Sequence, residues 1–183
     1  MPTILTHPAV PLMLGLALGP ALVPRRLLLA GVIASVLPDA DVLGFKLGIA
    51  YAQDLGHRGV SHSLLFALLL GLLAMTLAPW LRARRGAVFA LVAAGTASHG
   101  LLDMCSNGGL GVAFFWPWSA ERLFFPAHPI QVSPFSLSKV FGPDAMRLFG
   151  SELVWVWLPC LLAGLLIFGA RRAHGAGRSV HAQ

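Results

Sequence analysis

His62 to Leu81 reads HSLLFALLLGLLAMTLAPWL, and Arg82, Arg84 and Arg85 follow directly. Twenty residues without an Asp, Glu, Lys or Arg are enough to cross the hydrocarbon core of a bilayer as a helix. An arginine cluster at the end of such a run is the usual flank of a membrane span. Working outward from this run, four more apolar stretches are legible: Pro8 to Val23, Leu27 to Leu37, Ala87 to Met104 and Leu153 to Ala170. The whole chain agrees with them. Of its 183 residues 57% are hydrophobic and 11% charged. Soluble domains carry about 25% charged residues, so an ordinary soluble domain is excluded, and so low a charge also excludes disorder.

The expected fold is therefore all-α: a multi-pass membrane protein of about five apolar helices. One membrane-embedded domain covers 1–172. Within it, 105–151 forms an ordered outer cap rich in aromatics (Phe114, Phe115, Trp116, Trp118, Phe124, Phe125), with Trp116 and Trp118 near the headgroups. Residues 173–183 read as a disordered cytoplasmic tail. The second run is short for a span. It crosses only if Arg25 and Arg26 snorkel and Asp39 and Asp41 sit below the surface, and a re-entrant hairpin of runs one and two is the alternative.

With the N-terminus outside, the cytoplasmic segments hold Arg25, Arg26, Arg82, Arg84, Arg85, Arg171, Arg172 and Arg178. The outer segments hold Lys46, Arg58, Arg122, Lys139 and Arg147 together with all seven acids. Eight bases inside against five outside satisfies the positive-inside rule and places the C-terminus in the cytoplasm. The net charge of +6 is thus a flank of the spans and argues against a nucleic-acid partner. The partners expected are the lipid bilayer and a small-molecule or lipid substrate, with the oligomeric state left open.

This topology gathers polar residues at one end. His7 precedes the first run, Asp39 and Asp41 close the second, His57 and His62 precede the third, and His99 and Asp103 end the fourth. His99 and Asp103 are i and i+4, so they share one helix face. Pro38 is expected to break the second helix and let both Asp39 and Asp41 face one centre. Gly59 allows a tight turn before the third helix, with Ser61 as its cap. Imidazole with carboxylate and no thiolate suits Zn²⁺ first, with Mn²⁺ or Fe²⁺ as alternatives. The candidate metal ligands are Asp39, His57, His62, His99 and Asp103. Asp41 is either a ligand or a group that orients a histidine. His7 is either a ligand or a general acid, and Arg58 either clamps an anionic substrate or pairs with a carboxylate.

At these residues the chain resembles the YdjM-type family of inner-membrane-associated metal-dependent hydrolases. The resemblance rests on Thr6-His7, Leu37-Pro38-Asp39-Ala40-Asp41, His57-Arg58-Gly59-Val60-Ser61-His62-Ser63-Leu64 and His99 with Asp103. It continues through Asn107 to Val112, Phe115 to Trp118 and Pro129 to Pro134. It implies a helical inner-membrane protein whose His/Asp positions are those seven residues. The helix-end ligands are also distantly similar to zinc-dependent phospholipase C and P1-type nucleases, which tilts the expected substrate towards a phosphoester or a lipid. The rival class is a non-enzymatic membrane protein, either a divalent-metal transporter or a scaffold.

Overall fold

The structure, a computed structural model, describes residues 1–134 and 137–180. Its regular structure is helical, and among the described residues the only β pairing is two isolated bridges, Ser106 with Ile130 and Val112 with Leu123. In chain order the helices are α1 (Ala9–Leu18), α2 (Arg25–Val36), α3 (Leu64–Ala74), α4 (Ala78–Leu81), α5 (Arg85–Met104), α6 (Leu137–Val140), α7 (Ala145–Glu152) and α8 (Leu158–Val180). Four continuous helical stretches are long and apolar enough to cross a membrane: Arg25–Leu47, Leu64–Leu81, Arg85–Met104 and Ala145–His174.

The first two runs differ from expectation. The short helix is α1, whose 10 residues reach only about 15 Å at 1.5 Å per residue. The second run is long, because a 3₁₀ helix (Leu37–Leu47) continues α2 without a break. Pro38 changes the helix type and does not end the helix. It sits in the first turn of the 3₁₀ segment, where its missing N–H would have had no helical partner anyway.

Helix α5 is the axis of the bundle. Its buried residues Val88, Leu91, Val92, Ala93, Gly95 and Thr96 meet α2 on one side and α3 on the other. The approach to α2 is close: a Cβ on Gly95 would lie 3.2 Å from the Gly31 carbonyl, and one on Gly31 would lie 3.0 Å from the Leu91 side chain. Small residues at such crossings let helices pack backbone to backbone where lipid offers no hydrophobic drive. Thr96 Oγ1 donates to Val92 O at 2.9 Å and also reaches Ala34 O at 3.3 Å, a polar tie between α5 and α2.

Helix α8 lies against α1, with only 6% of its spanning window buried. Leu161, Leu162, Leu165 and Leu166 stand exposed along it, as do Leu68, Leu69, Leu72 and Leu73 along α3. Such apolar rows belong against acyl chains. The helix runs on through 173–180, into the stretch read as a tail, and residues 181–183 lie outside those described.

One end of the bundle carries Arg26 and Arg171. Arg26 donates to Trp80 O and Arg171 to Ala17 O, which brings the end of α1, the start of α2, the end of α4 and the far part of α8 together. The His and Asp residues lie towards the other end, beneath the cap. Ala113 N donates to Arg58 O at 3.0 Å, and Leu64 N donates to Phe114 O at 2.9 Å, so the cap is stitched to the segment entering α3. Ser63 caps that helix by accepting from Phe66 N. Ser61, the cap expected from sequence, instead turns its hydroxyl to Asp41.

Candidate metal centre

Six of the seven polar residues are positioned by helix ends or by the turn entering α3. His7 stands just before α1, Asp39 and Asp41 lie on the 3₁₀ continuation of α2, His62 ends the 3₁₀ turn before α3, and His99 and Asp103 lie in the last turns of α5. His57 comes from the preceding loop. All but Asp41, which is half-buried, are buried; His7, His99 and Asp103 have no exposure at all.

Five of them converge on one point. His62 Nε2 lies 3.1 Å from His99 Nε2, 3.5 Å from Asp103 Oδ2 and 3.8 Å from Asp39 Oδ1. His99 Nε2 is 3.3 Å from Asp39 Oδ1. His7 Nε2 is 3.7 Å from Asp103 Oδ1 and 4.0 Å from Asp39 Oδ2, and the His7 ring stacks on His99 with centroids 3.6 Å apart. Two neighbouring groups are each close enough to hold an ion: His7, His99 and Asp103, and Asp39, His57 and His62.

The hydrogen bonds around the rim fix which ring nitrogen faces inward. His99 Nδ1 is 2.7 Å from Ser35 O. A carbonyl can only accept, so Nδ1 carries the hydrogen and a neutral His99 turns a bare Nε2 to the centre. Ser61 Oγ donates its one hydrogen to Asp41 Oδ2 at 2.6 Å and therefore accepts from His62 Nδ1 at 3.0 Å. A neutral His62 then has a bare Nε2 as well. Two imidazole lone pairs 3.1 Å apart repel each other unless a proton or a metal cation lies between them.

Asp41 takes a different part from Asp39. In a 3₁₀ helix, with three residues per turn, positions two apart face different directions. Asp39 reaches the Nε2 side of His62, while Asp41 lies on its Nδ1 side at 3.1 Å and also meets His57 Nδ1 at 2.6 Å. The two carboxylates thus flank His62 and do not both face one centre, contrary to expectation. Replacing Asp41 with Asn removes the charge that orients both rings. Losing such a partner lowers metal affinity about 10- to 100-fold, and titration of purified protein with Zn²⁺ against a competing chelator measures it.

Arg58 is buried and adopts a positive φ of 65°. Its guanidinium is fully engaged: Nε donates to Asp103 Oδ2 at 2.9 Å, one terminal nitrogen to Gly108 O at 2.7 Å and the other to Ser106 Oγ at 2.9 Å. Of the two roles open to it, the structure puts it in the carboxylate pair. His128 is exposed beside Phe124 and belongs to neither group of candidate ligands.

Five atoms in this centre have no hydrogen-bond partner although they are buried: both ring nitrogens of His7, both carboxylate oxygens of Asp39, and Asp103 Oδ1. Buried polar atoms are nearly always paired, so a cluster of orphans with metal-ligand chemistry marks a place built for a cation. Burial pushes the His7 pKa down to about 3, which keeps it in the neutral form a metal requires.

The chain matches the family described as YdjM inner membrane protein over residues 1–175. It belongs to that family. It is also 47% identical over 173 residues to the inner membrane protein YbcI of Escherichia coli (strain K12), a match covering 94% of this chain and all of that relative. No solved structure matches the chain. Family membership and the four apolar helices place this YdjM-family protein in the inner membrane.

Several supporting residues carried no signal in the sequence. Ser35 contributes only a carbonyl, and Ser106 only a hydroxyl to Arg58. Arg122 holds the loop before His57 by donating to the His57, Tyr51 and Gln53 carbonyls. Main-chain acceptors leave no trace in residue type. Glu152 did leave one, as a lone carboxylate at the edge of an apolar run.

Proposed function

We propose that this YdjM-family protein is a membrane-embedded hydrolase that holds a divalent metal, Zn²⁺ in the first instance, on His7, Asp39, His62, His99 and Asp103. The cluster of unpartnered, buried ligand atoms carries this reading. Two further observations support it. Ligands at 2.0–2.2 Å around one ion stand roughly 3 to 3.6 Å from each other, and the closest inward-facing pairs here, His62 with His99 and His99 with Asp39, are 3.1 and 3.3 Å apart. The charge is of the right sign as well: three carboxylates, Asp39, Asp41 and Asp103, gather around the histidines, and Arg58 pairs with one of them.

A divalent ion held by these groups would supply a water ionised near neutral pH and a positive charge beside the bond under attack. The protein's own residues do the positioning. Asp41 and Ser61 fix the tautomer of His62, the Ser35 carbonyl fixes that of His99, and Arg58 aims Asp103. His57 stands beside His62, with ring centroids 5.4 Å apart, is tied to Asp41 through Nδ1, and is close enough to Asp39 and His62 to serve as a further ligand. The substrate that suits a centre at this depth, roofed by Phe114 and its neighbours, is a phosphoester or lipid-like molecule arriving from the bilayer.

The orientation belongs to the same proposal. The end bearing Arg25, Arg26, Arg82, Arg84, Arg85 and Arg171 is cytoplasmic by the positive-inside rule. The N-terminal His/Asp end then faces outward. A cysteine introduced at Ala120, exposed in the cap, is expected to react only with reagent supplied from the outer side.

Burial and depth favour a second reading, in which the centre holds or passes an ion without hydrolysis. The ligands are sealed from solvent. From Arg85 to His99 the rise is roughly 21 Å at 1.5 Å per residue, within a hydrocarbon core about 30 Å thick. Elemental analysis of the purified protein, followed by assay of the metal-loaded form on phosphomonoesters, phosphodiesters and phospholipids, separates the readings. Bound metal with turnover supports the hydrolase, bound metal without turnover supports the second reading, and absence of metal removes both.

A further inference from the structure

Outside the centre, one buried carboxylate has no part in the reading given so far. Glu152 ends α7 and is 2% exposed. Its Oε1 accepts from the Thr3 backbone N–H, and its Oε2 accepts from Thr3 Oγ1 at 2.8 Å and Thr6 Oγ1 at 2.7 Å. Thr6 Oγ1 in turn accepts from Trp157 Nε1 at 3.2 Å. Glu152 and Trp157 are five residues apart and bracket a π-helical turn, Leu153–Trp157. Such a turn widens the helix by one residue and recurs at functional sites. Here it lets both side chains reach the same threonine.

Burying a carboxylate is unfavourable unless it is fully hydrogen-bonded, so this arrangement holds the N-terminal segment firmly. The residue that follows Thr6 is His7. No hydrogen bond holds its ring nitrogens, and apart from its stacking on His99 its place is set by the backbone that carries it. Thr6 N donates to Thr3 O, and Thr6 O accepts from Ala9 N at 3.0 Å, so the turn bearing His7 moves as a unit with the two threonines.

We propose that Glu152 is a positioning residue for the metal centre: through Thr3 and Thr6 it docks the His7 turn onto the last span and sets His7 Nε2 against Asp39 and Asp103. This rests on the metal reading above. The test uses the full chain in detergent or nanodiscs, with Zn²⁺ affinity measured for the wild type, Glu152→Gln, Thr6→Val, His7→Ala and the double variant Glu152→Gln/His7→Ala. Amide hydrogen exchange over Thr3 to His7 is read in the same samples. Glu152→Gln and Thr6→Val are expected to weaken Zn²⁺ binding about tenfold or more and to speed exchange in that segment. Once His7 is absent, Glu152→Gln should weaken binding no further, the non-additivity expected of residues that act through one another. Unchanged affinity or unchanged exchange in both single variants would overturn the proposal, as would an equal loss with and without His7, which is the signature of general destabilisation. A wild-type protein that takes up no Zn²⁺, Mn²⁺ or Fe²⁺ would instead remove the metal centre itself.

Discussion

Asp103→Asn is expected to purify as a folded membrane protein that has lost its stoichiometric metal and any hydrolytic activity, with metal affinity down a hundredfold or more. Asp103 has two oxygens with different duties. Oδ2 accepts from Arg58 Nε at 2.9 Å, and Oδ1 faces His7 Nε2 at 3.7 Å with no hydrogen-bond donor of its own. Asparagine keeps the shape and can still accept from Arg58 through its amide oxygen. It removes the negative charge and turns a weak, neutral group towards the centre. Asp103→Ala goes further. It leaves the Arg58 guanidinium buried beside Ser106 and Gly108 with no counter-charge, a loss of about 3–5 kcal/mol for a buried pair broken on one side. The two variants should therefore separate: both metal-free by elemental analysis, but only alanine strongly destabilised in thermal unfolding. Metal retained at wild-type stoichiometry in Asp103→Asn would overturn the placement of Asp103 in the centre.

The sequence singled out the residues that the fold brings together because they are rare in an apolar chain. Seven histidines and seven acids are all the chain has, and ionisable groups near membrane depth are costly enough to be kept for a reason. The i, i+4 spacing of His99 and Asp103 needed only helical geometry. The number and extent of the spans were less legible. Pro38 reads locally as a helix breaker, yet a change from α to 3₁₀ pitch at Leu37 accommodates it, and nothing in composition distinguishes the two outcomes. That change of pitch also separates Asp39 from Asp41, which sequence spacing alone placed at one centre. The roles of Ser61 and Arg58 depended on partners far away in the chain, Asp41 for one and Asp103, Ser106 and Gly108 for the other. Local patterning cannot supply such partners. Glu152 shows the same limit from the other side: its position at the edge of an apolar run was visible, but its connection to Thr3 and Thr6 spans nearly the whole chain.

The glycine that lies between His99 and Asp103 on α5 tests how tightly the fold and the His/Asp cluster are joined. Gly100 follows His99, and a Cβ there would lie 2.6 Å from the His62 carbonyl oxygen and 3.2 Å from the Phe114 ring. That carbonyl has little room to move. The short 3₁₀ turn Val60–His62 is held by His62 N donating to Gly59 O at 3.0 Å and Ser63 N to Val60 O at 3.1 Å, and Leu64 N ties it to Phe114 O. Helix propensity alone favours Ala over Gly by about 1 kcal/mol. Overpacking of a close contact opposes it with about 1–3 kcal/mol, and here the obstacle is backbone. Gly100→Ala is therefore expected to destabilise the protein and to push His62 away from His99, lowering metal affinity together with thermal stability. Gly86, near the start of the same helix with nothing within 4 Å of its Cβ position, is the control: Gly86→Ala should be neutral or slightly stabilising and leave metal binding unchanged. Unfolding of the two variants in one detergent, with metal content measured alongside, decides the matter. If Gly100→Ala behaves like Gly86→Ala, α5 does not press on the His62 turn as tightly as its contacts indicate. If it loses metal while Gly86→Ala does not, then the absence of a Cβ at position 100 is what lets α5 deliver His99 and Asp103 to the same point as His62.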